Sequence, residues 1–438
     1  EPYAANLVGS INLSVIGDFA QAATDFAVVF RVDTVSAVAS NLWDFGDGVR
    51  LTNHLHASHA WSSGGLYTVS VTAYNSDHPT GVTATTMILV VDHPVHYVNL
   101  HSLAPASPFT NWAIAATTIQ EAVNASVPGS LVLVTDGMYN AGAAITPQGV
   151  LSNRVVITNG VTLRSVNGPG STFIVGAGPL GSNAVRGVYL SHPGRIDGFT
   201  ITNGHTRLTD GVVAADSSGG GVFASGGVVT NCIITGNAAR TGGGAQFGEY
   251  HNCGFFGNRA LNYVIWGVIF SGSGYGGGAN QAILHSCWIE DNLAEDGGGG
   301  AGGSELFSCI VRNNRAFTGY EDKGIAASGG GAYKSSLYGC TVISNSAAVI
   351  GGVDNCRVVN SIVYYNTAAQ AQWGHNYSTS ISLHASTFSG SCITPLPADA
   401  GNISSPPEFV DSAGGDYHLM SPAGSWHNGA WDADAGLS

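Results

Sequence analysis

Apolar and polar residues alternate in short runs along nearly the whole 438-residue chain. Ile11, Leu13 and Val15 begin the pattern. Phe26, Val28, Phe30 and Val32 repeat it, as do Tyr67, Val69, Val71 and Ala73, and Met87 to Val91 closes the series. A period of two puts successive side chains on opposite faces, so each run predicts a strand with one buried face. Further strands are expected at 131–134, 155–157, 161–163 and 173–175, the last three separated by Asn-Gly and Gly-Pro turns, and 187–190 and 196–204 lead into a Gly-rich repeat. One stretch departs from this period. Thr118-Ile119-Gln120-Glu121 has capping-box spacing, and Ile119, Ala122 and Val123 share one face, which predicts a short helix over 118–125.

From Gly219 to Asn366 the alternation is organised into a repeat. Each copy has a Gly run, a Cys, and an Asn five residues after the Cys. The copies are Gly219–Gly221 with Cys232 and Asn237, Gly242–Gly244 with Cys253 and Asn258, Gly276–Gly278 with Cys287 and Asn292, Gly298–Gly300 with Cys309 and Asn314, and Gly329–Gly331 with Cys340 and Asn345. A sixth has Gly351-Gly352, Ser361 in the Cys slot, and Asn366. Such a fixed spacing means stacked units, none of which buries its apolar face alone. Two residues beyond the Cys slot stand Ile234, Phe255, Ile289, Val311, Val342 and Val363, so both positions point inward. Since Ser361 replaces it, the Cys reads as a small buried residue rather than a metal ligand. The Asn is expected in the left-handed region at a turn, bonded to the Asn above and below, with the Gly run turning a corner at positive φ.

Counted from Asn203, the Asn slots advance by 34, 21, 34, 22, 31 and 21 residues. The extra residues fall between the Asn and the next Gly run, at 205–218, 261–275 and 317–328. Insertions at one point of a repeat line up on one side. They carry Tyr263, Trp266, Phe270, Tyr275, Phe317 and Tyr320, with Asp210, Asp216, Glu321 and Asp322. The plain reading is packing on the flank; the functional reading is a recognition surface for a glycan or a protein.

Charge narrows the partners. Lys plus Arg number 14 against 28 Asp plus Glu, a formal charge of −14. That balance argues against nucleic acid and anionic membranes, which need a basic patch. It tolerates Ca2+, but no specific Ca2+ motif is present and no cofactor is expected. No apolar run is long enough to span a membrane. Five of the seven Cys occupy the repeat, one per copy, unlike a disulfide framework; Cys356 and Cys392 can pair only if the fold brings them together. The start at Glu1-Pro2, without Met, is what a processed secreted protein would show.

Two resemblances follow. Trp43-Asp44-Phe45-Gly46-Asp47-Gly48, His59-Ala60-Trp61 and Tyr67-Thr68-Val69-Ser70-Val71 resemble the signature of PKD domains, small Ig-like β-sandwiches, over 11–92. Trp61 stands where that family has Tyr, and Ala73 where it has Val. The resemblance implies a spacer or a contact module for protein or carbohydrate. The remainder resembles secreted bacterial surface proteins and pectate-lyase-like proteins with a right-handed parallel β-helix. It does so through Thr118–Val123, Leu133–Tyr139, Asp197–Gly204, the Gly/Cys/Asn copies, Ser391–Pro397 and Pro407–Asp411. The expected fold is all-β: an N-terminal segment 1–10, a PKD-like sandwich 11–92, a linker 93–117, a parallel β-helix with capping helix 118–395, and a C-terminal tail 396–438. Related tails continue past the final Leu437-Ser438, so a processed C-terminus is expected as well.

Lyases of this fold need clustered carboxylates and a basic residue on one face. Glu290, Asp291 and Arg312 are the candidates, with Glu295, Asp296 and Arg315 nearby; the plain reading is solvated turn charge. His54, His56 and His59 have spacing that could ligate a metal, although His59 has a turn role in the PKD family. The favoured expectation is a non-enzymatic extracellular or cell-surface structural or adhesive protein. The C-terminal end shows no amphipathic capping helix, which predicts self-association head-to-tail into a filament or array. Extracellular glycans or other surface proteins are further expected partners. The alternative is a polysaccharide lyase, a hydrolase or a carbohydrate-binding protein on the same helix.

Overall fold

The computed structural model describes residues 8–34, 38–92, 94–208, 213–265, 268–270, 274–317, 327–370, 372, 374–378, 385–399, 401–412, 414–420, 425–427 and 430–432. It divides into two compact units, 1–135 with 157–164, and 136–156 with 165–438.

In the first unit the alternating runs form a β-sandwich. Strands Leu13–Gly17, Val28–Thr34 and His56–His59 make one sheet; Gln21–Ala23, Val82–Val91, Gly65–Tyr74, Ser40–Asp44 and Arg50–Thr52 make the other. Their inward residues, among them Phe30, Trp43, Phe45, Trp61, Val69, Val71 and Ile88, form one buried cluster. Trp61 fills its place as an aromatic core residue and donates its indole N–H to the Phe45 carbonyl at 3.1 Å. Gly46 has φ +80°, and a Cβ there would lie 2.8 Å from the Thr68 carbonyl oxygen, so the turn between Phe45 and Asp47 requires glycine. The stretch 93–117, expected as an extended linker, holds strand Val95–Val98 and a short 3-10 turn, Trp112–Ile114. Val95–Val98 pairs in parallel with Leu131–Val134. The helix is Ile119–Ala125, and its capping box is complete: Thr118 Oγ1 accepts from the Glu121 N–H, and the Glu121 carboxylate accepts from the Thr118 N–H. The sandwich meets this first coil directly. Ala23 N–H donates to the Pro128 carbonyl at 2.7 Å, and a Cβ on Gly129 would meet Phe26 and Ala23.

The second unit is a parallel β-helix. Each repeat contributes short strands to four sheets. One coil runs Val222–Ser225, Val228–Thr230, Ile233–Thr235, Ala238–Ala239; the next runs Ala245–Gln246, Glu249–His251, Gly254–Phe256, Arg259–Ala260, each strand paired in parallel with its predecessor. The Cys slot and the residue two beyond it are buried, from Cys232 and Ile234 to Ser361 and Val363. All seven Cys are free thiols. Cys356 lies in a separate ladder with Ser304, Ser335 and Ser386, and Cys392 donates to the Ser405 carbonyl, so neither has a disulfide partner.

The Asn ladder is present, with two corrections. The left-handed residue is not the ladder Asn but the one before it: Gly236, Gly257, Asp291, Asn313, Ser344 and Tyr365 have φ of 54–64°. The ladder Asn sits just past the turn, where its amide reaches both neighbouring coils. Its first rung is also shifted by one. Gly204 N–H, not Asn203, meets Asn237 Oδ1 at 2.7 Å, because Thr202 pairs with Thr235. The third Gly of each run makes room for this ladder: a Cβ on Gly300 would lie 3.0 Å from the Asn314 amide nitrogen.

At the C-terminal end of the stack, several described edge groups bond to later residues of the same chain. Asn376 Oδ1 takes the last rung, accepting from Asn366 N–H at 3.1 Å. Gly352 and Val353 N–H donate to the carbonyls of His375 and Asn376, and Ile393 exchanges backbone bonds with residues around Ile403.

Candidate functional site

Glu290 and Arg312 lie opposite each other on adjacent parallel strands, Trp288–Glu290 and Ile310–Arg312. Their outer face is largely apolar, since Ile233, Gly254, Trp288, Ile310, Thr341 and Ile362 follow one another in register. The pair forms a salt bridge at 2.6 Å with side chains only 14% and 20% exposed. Glu290 also accepts from the Trp288 indole N–H at 2.7 Å and the Asn313 amide at 3.3 Å. The Arg312 guanidinium lies over the Trp288 ring at 5.1 Å and over the Tyr417 ring at 5.5 Å, and donates to the Tyr417 hydroxyl. Burial opposes the Arg312 charge, but hydrogen bonds to Glu290 and Tyr417 outweigh it and hold its pKa above the ordinary value.

Tyr417 belongs to a C-terminal hairpin, Phe409–Asp411 with Asp416–Leu419, laid against this face. Phe409 packs edge-on to Tyr417 at 5.4 Å, and the Tyr364 hydroxyl donates to the Ser404 carbonyl. A cleft of about 410 Å3 lies between the hairpin and Trp288, Ile310 and Thr341. Glu290 and Arg312, the carboxylate and the basic residue named for lyase chemistry, are thus occupied on both sides. Asp291 sits in the turn at φ 56°, its carboxyl pushed up by burial and by Glu290 against the pull of Arg312.

The other acidic pair clamps a loop. Glu295 accepts from Asn262 N–H at 2.7 Å, and Asp296 accepts from the Asn262 amide at 2.8 Å. Burial pushes the Glu295 carboxyl up despite the bond to Asn262. Asn262 Oδ1 in turn accepts from Gly274 N–H, so these residues close the base of the 261–275 insertion. Within it, Tyr263–Ile265 and Val268–Phe270 pair as an antiparallel hairpin that places Tyr263 opposite Phe270.

The remaining loop candidates divide. Trp266 and Tyr320, with Asp210, Glu321 and Asp322, lie outside the described residues. Tyr275 stacks on Tyr333 at 5.5 Å, and Lys334 sits 5.0 Å over the Tyr333 ring, beside a cleft of about 320 Å3. Burial, then the nearby Asp296, pushes the Tyr275 hydroxyl up to about 12. Phe317 is 39% exposed, with Arg315 over its ring at 5.7 Å. Tyr275, Gly297 and Ser328 bridge in parallel, so two insertions rejoin the stack at the same corner. Asp216 is buried and accepts from Val150 and Leu151 N–H. Beside it, fully buried Arg186 donates to the carbonyls of Gly219 and Ser218 and to Asn153 Oδ1. Burial lowers the Arg186 pKa to about 9.

The three PKD histidines do not converge. His59 bonds Asp47 at 2.7 Å and stacks on Phe45 at 4.3 Å, its turn role. His56, three residues earlier on the same strand, points to the opposite face. His54 accepts the Trp43 indole N–H with its carbonyl.

Among the described residues, the group whose donor atoms do converge is Glu249, His251 and His285, all within 4.8 Å of one another. Glu249 and His251 are two apart on one strand, and His285 is the register partner of His251 on the next coil. The imidazoles stack at 4.7 Å and 6°, and Phe307 and Tyr338 extend the stack at 4.8 and 5.0 Å. Sequence reading missed this group because the two His are 34 residues apart; aligning the coils from Cys253 to Cys287 would have revealed it.

Residues 18–90 match the PKD domain family. No curated protein matches the sequence. Solved structures similar to the chain include pectate lyase Pel9A, at 15% identity, covering 73% of this chain and 83% of that one, with a TM-score of 0.46. Pectin methylesterase PemA from Erwinia chrysanthemi follows at 12%, 68%, 78% and 0.27, and a rhamnogalacturonan lyase at 13%, 72%, 66% and 0.27. Likeness at this level assigns neither activity nor residue roles. The chain carries a PKD domain followed by a right-handed parallel β-helix.

Proposed function

We propose that this is a non-enzymatic extracellular structural or adhesive protein whose β-helix is a scaffold for flank contacts with glycans or surface proteins. The observation that supports this most is the fate of Glu290 and Arg312. A catalytic acid or base must reach the reacting atoms of a substrate. Here the carboxylate is bonded to Arg312, Trp288 and Asn313, and the guanidinium lies between two aromatic rings under the C-terminal hairpin. The remaining acidic pair is bonded into a loop base. Among the described residues no helix is long and apolar enough to cross a membrane.

Head-to-tail stacking needs a free sheet edge, and part of the described C-terminal edge, at Gly352, Val353 and Ile393, is bonded to residues of its own chain. The proposal therefore puts partner contacts on the flanks, around the insertions near Tyr275 and Phe317.

Two measurements test it together. Acidic and neutral polysaccharides incubated with the chain, with and without Ca2+, are expected to yield no shortened products. Light scattering is expected to give a monomer mass. Oligosaccharide release lost on Arg312→Gln would support a lyase or hydrolase instead, and fibres in purified material would restore the filament reading.

A further inference from the structure

The group on the outer face of the β-helix, Glu249, His251 and His285, has the donor chemistry of a transition-metal site. We propose that it binds one divalent cation of the Zn2+ class. Two imidazoles and a carboxylate form a set that suits Zn2+, Co2+ or Ni2+, whereas Ca2+ and Mg2+ require mostly oxygen. The geometry is already nearly convergent. Glu249 Oε1 lies 2.8 Å from His251 Nε2 and 3.7 Å from His285 Nε2, so one carboxylate oxygen sits where both rings direct a nitrogen. Ligand atoms around a tetrahedral Zn2+ are about 3.3 Å apart, given Zn–N distances of about 2.0–2.1 Å. The rings now stack at 6°, so binding requires both to tilt out of the stack until each plane contains the ion, together with a rotation of Glu249.

The backbone supports the arrangement. Parallel strands one coil apart hold like positions about 4.8 Å from each other. The pairing Glu249↔Ile283 and His251↔His285 therefore fixes the two His side by side, with the Glu two residues away on the same face. Among the described residues no other rung of this face repeats the set: the positions in register with His251 and His285 are Asp197, Thr230, Phe307, Tyr338, Val359 and Ser389. The side chains are 36%, 34% and 43% exposed for His251, His285 and Glu249, so a cation can enter and keep a water or a partner's ligand in a fourth position. Between His251 and His285 the chain makes the 261–275 insertion. A bound metal would staple the two coils that this insertion separates. A different reading treats the His pair only as part of the ring stack with Phe307 and Tyr338.

Titration calorimetry of the tag-free full chain with Zn2+ at neutral pH tests this, with Ca2+ as a parallel titrant and Co2+ for its visible spectrum. The expected result is one equivalent of Zn2+ bound at micromolar Kd through this group, no heat from Ca2+, and the intense visible absorption of a four-coordinate Co2+ site. Glu249→Gln, nearly isosteric, is expected to weaken binding at least tenfold, and His251→Ala with His285→Ala to remove that equivalent. His101→Ala, on an exposed turn of the other unit, is expected to leave it intact. Circular dichroism of each variant confirms folding. No Zn2+ binding, or an equivalent that survives both the double His variant and Glu249→Gln in folded protein, would overturn the proposal and leave the His pair as a stacking element.

Discussion

Two corners of each coil carry a fixed residue, and they tolerate change differently. At the Asn corner, Asn292 Oδ1 accepts both the backbone N–H and the amide of Asn258 at 2.9 Å, while its own amide donates to the Phe255 carbonyl and to Asn314 Oδ1. Every polar atom of the side chain is spoken for by a neighbouring coil, and the amide-to-Oδ1 chain runs from Asn237 to Asn376, where Thr394 takes the last amide. At the Cys corner, the Cys309 thiol makes only weak contacts, 3.4 Å from the carbonyls of Leu284 and Phe307. Ser361 does the same work with a hydroxyl, bonding the Val359 carbonyl at 2.8 Å. A ladder that must satisfy buried donors and acceptors admits one residue type; a ladder that mainly fills space admits several.

Asn292→Ala is expected to have the largest effect. It strands the Asn258 N–H and amide and the Phe255 carbonyl in the interior, at about 1–3 kcal/mol for each buried group left unmet. A loss of about 3 kcal/mol or more is expected in urea unfolding. Gly300→Ala comes next. Its Cβ would lie 2.7 Å from the Gly331 carbonyl oxygen and 2.9 Å from Val311 Cγ1, and overpacking of this kind costs about 1–3 kcal/mol. The same assay checks it, and the neighbouring Asn rung should lose amide-exchange protection.

The Cys corner should register in pH. Burial pushes the Cys232 thiol up to about 12 from an ordinary value of 9.0. A pKa raised on folding leaves stability intact below pH 9 and erodes it between pH 9 and 12, where the unfolded thiol ionises first. The slope is at most about 1.4 kcal/mol per pH unit for each thiol. Unfolding midpoints at pH 8, 9 and 10 are expected to fall less steeply in Cys232→Ser than in the parent chain. The smallest effect belongs to Cys309→Ser at pH 7, expected below about 1 kcal/mol because Ser361 already fills the equivalent slot. If Cys309→Ser proved as costly as Asn292→Ala, the contrast between the corners would fail.

Much of this was legible in the chain. The period-2 runs and the Asp44–Gly48 turn announced the sandwich, and the Gly/Cys/Asn spacing announced the coils, because both are local patterns. The ladder register was misread at Asn203, since Asn also suits the left-handed turn position that Gly236 occupies on the next coil. Asn376 was missed as a rung because it follows Asn366 by only ten residues, inside an irregular cap. The site candidates were harder. Glu290 and Arg312 were found, but their closure by Tyr417 depends on a contact 105 residues away that no spacing encodes. The Glu249–His251–His285 group likewise exists only once the coils are stacked.

The claim that the Glu290–Arg312 pair locks the C-terminal hairpin to the helix, rather than performing chemistry, is tested most directly by Arg312→Gln. The prediction is that polysaccharide depolymerisation is undetectable before and after the change, while proteolysis of the 404–420 segment becomes faster and the unfolding midpoint falls, by about 1–2 kcal/mol for a partly exposed pair. Measurable turnover in the parent chain that vanishes in Arg312→Gln, with the hairpin's proteolysis rate unchanged, would contradict it.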